Sequence, residues 1–373
     1  MRTASLLAAT LAVTSLGAAQ ASAASTDFKA VVDPIANPAV ATGGKCPGLA
    51  IGIDQAGTLS ELFYGKSGTA RPLDGKTEFE IDSVTKTFTG LILALATQRS
   101  EKPVHLDDPL QMYAPPGVTL PTFGGVPIHL VDLATHTAGV PRGKIGDSGQ
   151  TPQEVWGLTA RLKLASQPGA KYLYSNIGFG LLGLAEERDQ GQSLEKIFEQ
   201  QITGPLGMPD TRMILSSEQL ARKAQGHHPN GTKAANDDPA AKLGIAGAFA
   251  LNSTLDDMMK YLALQLGSGP APLTQAAALA QTPVHPIGPN GQVGLAWNVN
   301  HLHDGTLVIN KDGTGPGFTD FVAFTPSTHT GVVVMANQLQ CGVSKISFSI
   351  LSALNHWSPD AGSLPDNSAD SEP

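Results

Sequence analysis

Apolar and polar positions change period twice along this chain. Near the N-terminus, "GLAIGID" (48–54) and "LSELFYGKSG" (59–68) are short runs rich in β-branched and aromatic residues around a glycine, the pattern of a two-stranded hairpin. From about residue 83 the period becomes helical. "SVTKTFTGLILALATQRS" predicts a helix of about four turns from Ser83 to near Ser100, apolar on nearly every side after its first residues. "HLDDPLQMYAPPG" predicts a helix or turn stopped by Pro115 and Pro116, and "IHLVDLATHTAG" a helix closed by Gly139. "NIGFGLLGLAEERDQG" and "SLEKIFEQQITGPLGM" predict amphipathic helices separated by a glycine turn. "TLDDMMKYLALQLG" predicts another, with Thr254 as N-cap and two acids in its first turn. After Pro286 short strands return in "QVGLAWNVNHLHD", "TLVINKDG", "FTDFVAFTP" and "TGVVVMANQ", before "VSKISFSILSALNHW" closes the chain as a helix. Strands at both ends and helices between predict an α+β fold: one antiparallel sheet built from both termini and flanked by helices, with an all-helical lobe inserted. The sheet lobe is expected over about 28–80 and 290–356, the helical lobe over about 81–289.

Both ends lie outside that pattern. Arg2, the apolar run "SLLAATLAVTSLGA" and "ASA" ending at Ala23 read as a cleaved signal peptide, residues 1–23. The run is too short and broken for a stable membrane anchor, and no cysteine follows to carry a lipid. A periplasmic or secreted protein is expected, monomeric by default. "SPDAGSLPDNSADSEP" ends the chain in Pro, Ser and acids, so 357–373 is expected to be a disordered tail, leaving 24–356 as the folded unit.

Composition narrows the function classes. The 373 residues are 41% hydrophobic and 15% charged, enough for a sizeable core. A net charge of −8 without a basic stripe argues against nucleic acid. The two cysteines, Cys46 and Cys341, form an even count in an exported chain, which favours a disulfide.

Three short segments carry candidate chemistry. Ser83 and Lys86 are three apart, so on a helix they share a face about 5–6 Å apart. A serine nucleophile needs a base within hydrogen-bond reach and donors for the oxyanion. A helix N-terminus supplies free N–H groups, and burial beside an apolar run disfavours an ammonium, making Lys86 a better base. S-x-x-K also arises as a capping serine and a solvated lysine. In "YLYSNIGFG", Tyr174 is a candidate base if cations lower its phenol, and Asn176 a candidate to hold Lys86 and bind a substrate amide. Otherwise Tyr174 packs in a loop and Asn176 caps the next helix. In "VINKDGTGPGF", Lys311 falls at a strand end before Gly313, where low bulk lets a substrate pair with the backbone. The N–H of Thr314 is a second candidate oxyanion donor, and a charged hairpin turn is the alternative.

Other signals carry less. Ser148 in "GDSGQ" lacks the flanking strands and histidine motif of a chymotrypsin-like site. No G-x-S-x-G or H-E-x-x-H occurs. His301 and His303 lack further spaced ligands, so no metal site is expected. His227 and His228 read as a solvated loop, and His136 as a residue packing or capping near the cleft.

Taken in order and with their gaps, Ser83-x-x-Lys86, Tyr174-x-Asn176 and Lys311-Asp312-Gly313 resemble the class C β-lactamase and penicillin-binding-protein-like serine hydrolases. In that family S-x-x-K, Y-x-N and K-T-G or H-x-G follow one another. The resemblance runs from about residue 30 to 355, through "LDDPLQMYAPPG", "LATHTAGVPR", "PLGMPDT", "GAFALNSTLDDM" and "GFTDFVAFTPSTHTGVVVMAN". "YAPPGVTLPTFGGVPIHLVDLATHTAGVPR" is most similar to the D-alanyl-D-alanine carboxypeptidase/endopeptidase branch. It implies a β-lactamase/transpeptidase-like fold and a cofactor-free hydrolase acting on peptidoglycan peptides or β-lactams. Ser83 would be acylated, Lys86 and Tyr174 would share base work, and Asn176, Lys311, Gly313 and Thr314 would bind substrate. The resemblance also implies that the terminal strands are neighbours, which would bring Cys46 and Cys341 together. Asp312 departs from the pattern, because the usual threonine helps receive a substrate carboxylate. Either Asp312 points away or the leaving group is not a free acid. The implied peptidase therefore stands beside a class C β-lactamase, a carboxylesterase and, more remotely, a non-catalytic wall-peptide binding module.

Overall fold

The computed structural model describes residues 26–142, 151–235 and 243–358. The expected signal peptide, Ser148 and the tail beyond Ser358 lie outside these residues.

Ten strands are present among the described residues. They are β1 (Gly48–Gln55), β2 (Thr58–Gly65), β3 (Phe79–Glu80), β4 (Asn252–Ser253), β5 (His285–Pro286), β6 (Gly291–Val293), β7 (Asn298–His301), β8 (Leu307–Gly315), β9 (Phe318–Thr325) and β10 (Thr330–Ala336). Eight form one antiparallel sheet in the order β2-β1-β10-β9-β8-β7-β6-β5, while β3 and β4 pair separately. The N-terminal and C-terminal strands are neighbours, with Leu49 opposite Ala336 and Ile53 opposite Val332.

Alternation along β1 explains the two layers. Leu49, Ile51 and Ile53 face one side, where they pack with Val332, Val334 and Ala336 beneath helices α1 (Phe28–Val40) and α11 (Val343–Asn355). Ala50 and Gly52 face the other side. There a Cβ on Gly52 would lie 2.2 Å from Met259 Sδ, so helix α9 (Leu255–Gln265) sits directly on the strand. Thr254 caps α9 by accepting from the N–H of Asp257. Beyond α9 lies the helical part, made of α2 (Thr85–Thr97), α3 (Leu130–Ala134), α4 (Pro152–Thr159), α5 (Asn176–Gln190), α6 (Leu194–Phe198), α7 (Ser217–Leu220), α8 (Ala246–Phe249) and α10 (Ala271–Ala280). Helix α2 is buried on almost every side, as its sequence predicts.

Cys46 precedes β1 and Cys341 follows β10; they form a disulfide across 295 residues, with Cα atoms 5.3 Å apart. The expected helix over 128–139 shrinks to α3, because His136 takes a left-handed φ of 57° three residues before Gly139. Trp357, placed by sequence in the tail, packs its ring against Phe348 at 5.7 Å. Among the described residues no helix is long and apolar enough to cross a membrane.

Candidate active site

Ser83 does not begin the α-helix itself. It sits in a 3-10 turn, Asp82–Val84, that leads into α2. Asp82 is held at φ 41°, a left-handed conformation costly for a residue with a Cβ. Its buried carboxylate occupies the room left by Gly315, where a Cβ would lie within 1.8 Å of Oδ1. Strand β8 closes on the same turn at Gly313, whose Cβ would meet the Ile81 carbonyl oxygen at 2.5 Å. Thr314, between these glycines and opposite Thr319 on β9, thus runs its backbone alongside Ser83.

Lys86 is the second residue of α2, one turn beyond Ser83, and is fully buried. Its Nζ is 2.9 Å from Ser83 Oγ, 2.9 Å from Asn176 Oδ1 and 2.8 Å from the Ala248 carbonyl oxygen. Pairing of β3 with β4 and two threonines place that carbonyl. The Leu251 N–H donates to Thr85 Oγ1 at 3.1 Å, and Thr89 Oγ1 donates to the Gly247 oxygen at 2.8 Å. Burial first, and then the Lys311 ammonium, hold the Lys86 amine well below the ordinary lysine range, against the pull of Asp312 and Asp82. A neutral amine has two hydrogens and one lone pair. Asn176 Oδ1 and the Ala248 oxygen only accept, so they take both hydrogens. In that neutral form the lone pair is left for the Ser83 hydroxyl, whereas an ammonium would donate to all three oxygens.

Tyr174 and Asn176 flank the cap of α5. Ser175 Oγ accepts from the Gly178 N–H at 2.9 Å and donates to the Pro141 oxygen at 2.8 Å. Ser175, not Asn176, is the cap, and this frees the Asn176 side chain for Lys86. Tyr174 Oη lies 2.7 Å from Ser83 Oγ. Two cations and the Lys86 amine gather round its ring: Arg142 Cζ at 5.4 Å, Lys311 Nζ at 5.6 Å and Lys86 Nζ at 4.9 Å from the centroid. The buried His136 ring stacks on Tyr174 at 4.3 Å, and its Nδ1 accepts from the Ser175 N–H at 3.0 Å. Burial and the neighbouring cations keep His136 well below its usual range, hence neutral.

The segments carrying Ser83, Lys86, Tyr174, Asn176, Lys311, Gly313 and Thr314 therefore meet in one cleft. Asp312, expected either to point away or to oppose a carboxylate, turns back to Lys311, with Oδ1 2.8 Å from Nζ. His301 is exposed, and no cluster of three or more His, Cys, Asp or Glu able to hold a metal ion occurs among the described residues. His227, read as solvated, is instead half-buried, with Nδ1 3.1 Å from the Asn337 oxygen. Three parts of the cleft carried no sequence signal: the Ala248 carbonyl, because a backbone acceptor has no residue type; Arg142, because no spacing marks it; and the strained Asp82.

Buried Lys86 and Tyr174 and a half-buried Ser83 meet at the junction of an antiparallel sheet and a helical layer, in an α+β fold that solved structures share. "A class C beta-lactamase" superposes with a TM-score of 0.79 over 90% of this chain and 98% of that one, at 22% identity. The "Beta-Lactamase/D-Alanine Carboxypeptidase from Pseudomonas syringae" also gives 0.79, at 23% identity, over 90% of this chain and all of its own (100%). The Beta-lactamase family model matches residues 30–346, and the chain belongs to that family of serine hydrolases. Among curated relatives, the "D-alanyl-D-alanine-carboxypeptidase/endopeptidase AmpH" of Escherichia coli (strain K12) is 34% identical over 280 residues, 69% of this chain and 70% of the relative. A "Beta-lactamase" of Pseudomonas fluorescens is 27% identical over 369 residues, 88% of this chain and 99% of that protein.

Proposed function

We propose that the protein is an exported penicillin-binding-type hydrolase that forms an acyl-enzyme on Ser83 and cleaves D-alanyl peptides of peptidoglycan. The observation that carries this is the triple coordination of Lys86, whose Nζ lies 2.9 Å from Ser83 Oγ and, as the neutral amine that burial favours, directs both hydrogens to Asn176 and Ala248 and turns its lone pair to Ser83. Ser83 Oγ attacks the scissile carbonyl while its proton passes to Lys86 Nζ. The tetrahedral oxyanion forms between the N–H groups of Ser83 and Thr314. Lys86, now an ammonium among Lys311 and Arg142, returns the proton through Tyr174 Oη to the leaving amine, and the C–N bond breaks. Water then attacks the ester, giving its proton to the same Tyr174–Lys86 pair, and Ser83 is regenerated.

The peptidase assignment draws on the 34% identity to AmpH, whose name carries both carboxypeptidase and endopeptidase. A β-lactamase is the second reading, favoured by the Arg142 and Lys311 cations around Tyr174, which suit a phenol that activates a deacylating water. Incubation with a penicillin, followed by intact mass and by drug loss, separates the two. A persistent adduct on Ser83 is expected. Rapid drug loss would instead favour the β-lactamase, and ester cleavage without a penicillin adduct would favour an esterase. Binding with no turnover of any substrate would leave only a wall-peptide binding module.

A further inference from the structure

The edge of β8 that faces β7 is paired only as far as Asn310, opposite Asn298. From Lys311 onward that edge carries no partner strand among the described residues. Strict alternation would send Asp312 to the face opposite Lys311 and Gly313. At this open edge its carboxylate instead returns to Lys311, Oδ1 to Nζ 2.8 Å. The side chain of Lys311 is 3% exposed and that of Asp312 18%, so the acid is the member of the pair that a substrate meets. Burial pushes the Asp312 carboxyl up, but the Lys311 ammonium prevails by charge and hydrogen bond and holds it below the ordinary range, ionised. The pair lies on the leaving-group side: Tyr174, which delivers the proton to the leaving group, has Lys311 Nζ 5.6 Å from its ring.

We propose that Asp312 is a specificity-determining residue that selects acyl donors whose leaving group carries a carboxamide or other uncharged donor beside the scissile bond, rather than a free carboxylate. This rests on the acyl-enzyme reading at Ser83 and narrows it: D-alanyl peptides whose leaving residue is amidated or chain-linked are preferred over those releasing free D-alanine, and a penicillin, which carries a carboxylate beside its reacting amide, acylates Ser83 slowly. A carboxamide N–H donates to the Asp312 carboxylate, where a second carboxylate is repelled. Two unit charges about 6 Å apart at a partly exposed site change a rate by up to about a hundredfold; the Lys311 ammonium 2.8 Å from Asp312 offsets part of this, leaving about tenfold.

The test uses two aryl esters of N-acetyl-D-alanine, one releasing 3-hydroxybenzamide and the other 3-hydroxybenzoate. Each kcat/KM is divided by the ester's hydroxide-catalysed rate. The wild type should favour the benzamide ester by about tenfold or more, and the preference should shrink as salt is added. Asp312→Asn and Asp312→Thr should each bring the ratio close to one or invert it. A wild-type preference for the benzoate ester, a salt-independent ratio, or an unchanged ratio in folded Asp312→Asn overturns the inference; the salt series stands even if the variants do not fold. If neither ester is cleaved and no acyl mass appears on Ser83, the acyl-enzyme reading itself has failed and takes this inference with it.

Discussion

Gly313→Ala tests how closely the nucleophile turn and β8 must meet. The added Cβ would sit 2.5 Å from the Ile81 carbonyl oxygen, where ordinary contact begins at 3.4 Å. Relief therefore needs about 0.9 Å of movement, taken as the difference of those two distances. Backbone cannot swing aside as a long side chain does, so β8 and the Asp82–Val84 turn must part. Their separation sets where the Ser83 and Thr314 N–H groups point. A displacement of about 1 Å at reacting groups costs on the order of a hundredfold in rate, while the overpacking costs about 1–3 kcal/mol of stability. The assay is the pre-steady-state release of nitrophenol from a p-nitrophenyl ester, with circular dichroism and thermal melting as folding controls. We expect a folded variant acylated about a hundredfold more slowly. A folded Gly313→Ala protein acylated at close to the wild-type rate would refute the proposed oxyanion geometry.

Three further outcomes are expected. Asn176→Asp places a carboxylate where Oδ1 now lies 2.9 Å from Lys86 Nζ, stabilising the ammonium; the acidic limb of the acylation pH profile should move up by about one unit or more, and an unmoved limb would contradict the base assignment. Glu78 is fully buried, and burial first, then Asp210, pushes its carboxyl up to about 9. Raised above its unfolded value, this group contributes stability that is complete below about pH 4.5 and is lost as pH rises through the folded value. Glu78→Gln should therefore flatten the fall in Tm between pH 5 and pH 9, and an unchanged slope would sink this assignment. Replacing Cys46 and Cys341 together by alanine opens a loop of 295 residues and should cost up to about 5–6 kcal/mol in denaturant unfolding; a loss below about 1 kcal/mol would mean that the bond constrains little of the unfolded chain.

What the residue pattern reveals depends on whether a feature resides in side-chain types at fixed spacing. Ser83 and Lys86 were legible because a three-residue step has one geometric meaning on a helix, and β1, β8, β9 and β10 because their runs are bounded by turn residues. Helix α1 was not legible in the pattern at all, and it contains two residues that ordinarily break helices, Pro34 and Pro38. The two prolines are four residues apart on the exposed face, opposite Phe28, Val32 and Ala36, where the lost N–H bonds face solvent. The small residues of α8 and α10 gave no amphipathic stripe either. Asp312 shows a different limit. Strand alternation predicts a face but not the reach of a charged side chain at an unpaired edge beside a buried cation.

The central claim is that a neutral Lys86 takes the proton of Ser83. Its most direct test is intact-mass and peptide-level analysis after brief exposure to a fluorophosphonate, comparing wild type, Ser83→Ala and Lys86→Met. One adduct, located on Ser83 in the wild type, absent from Ser83→Ala and severely slowed in folded Lys86→Met, is the result the geometry requires. Labelling at another residue, or a Lys86→Met protein modified as fast as wild type, would contradict it.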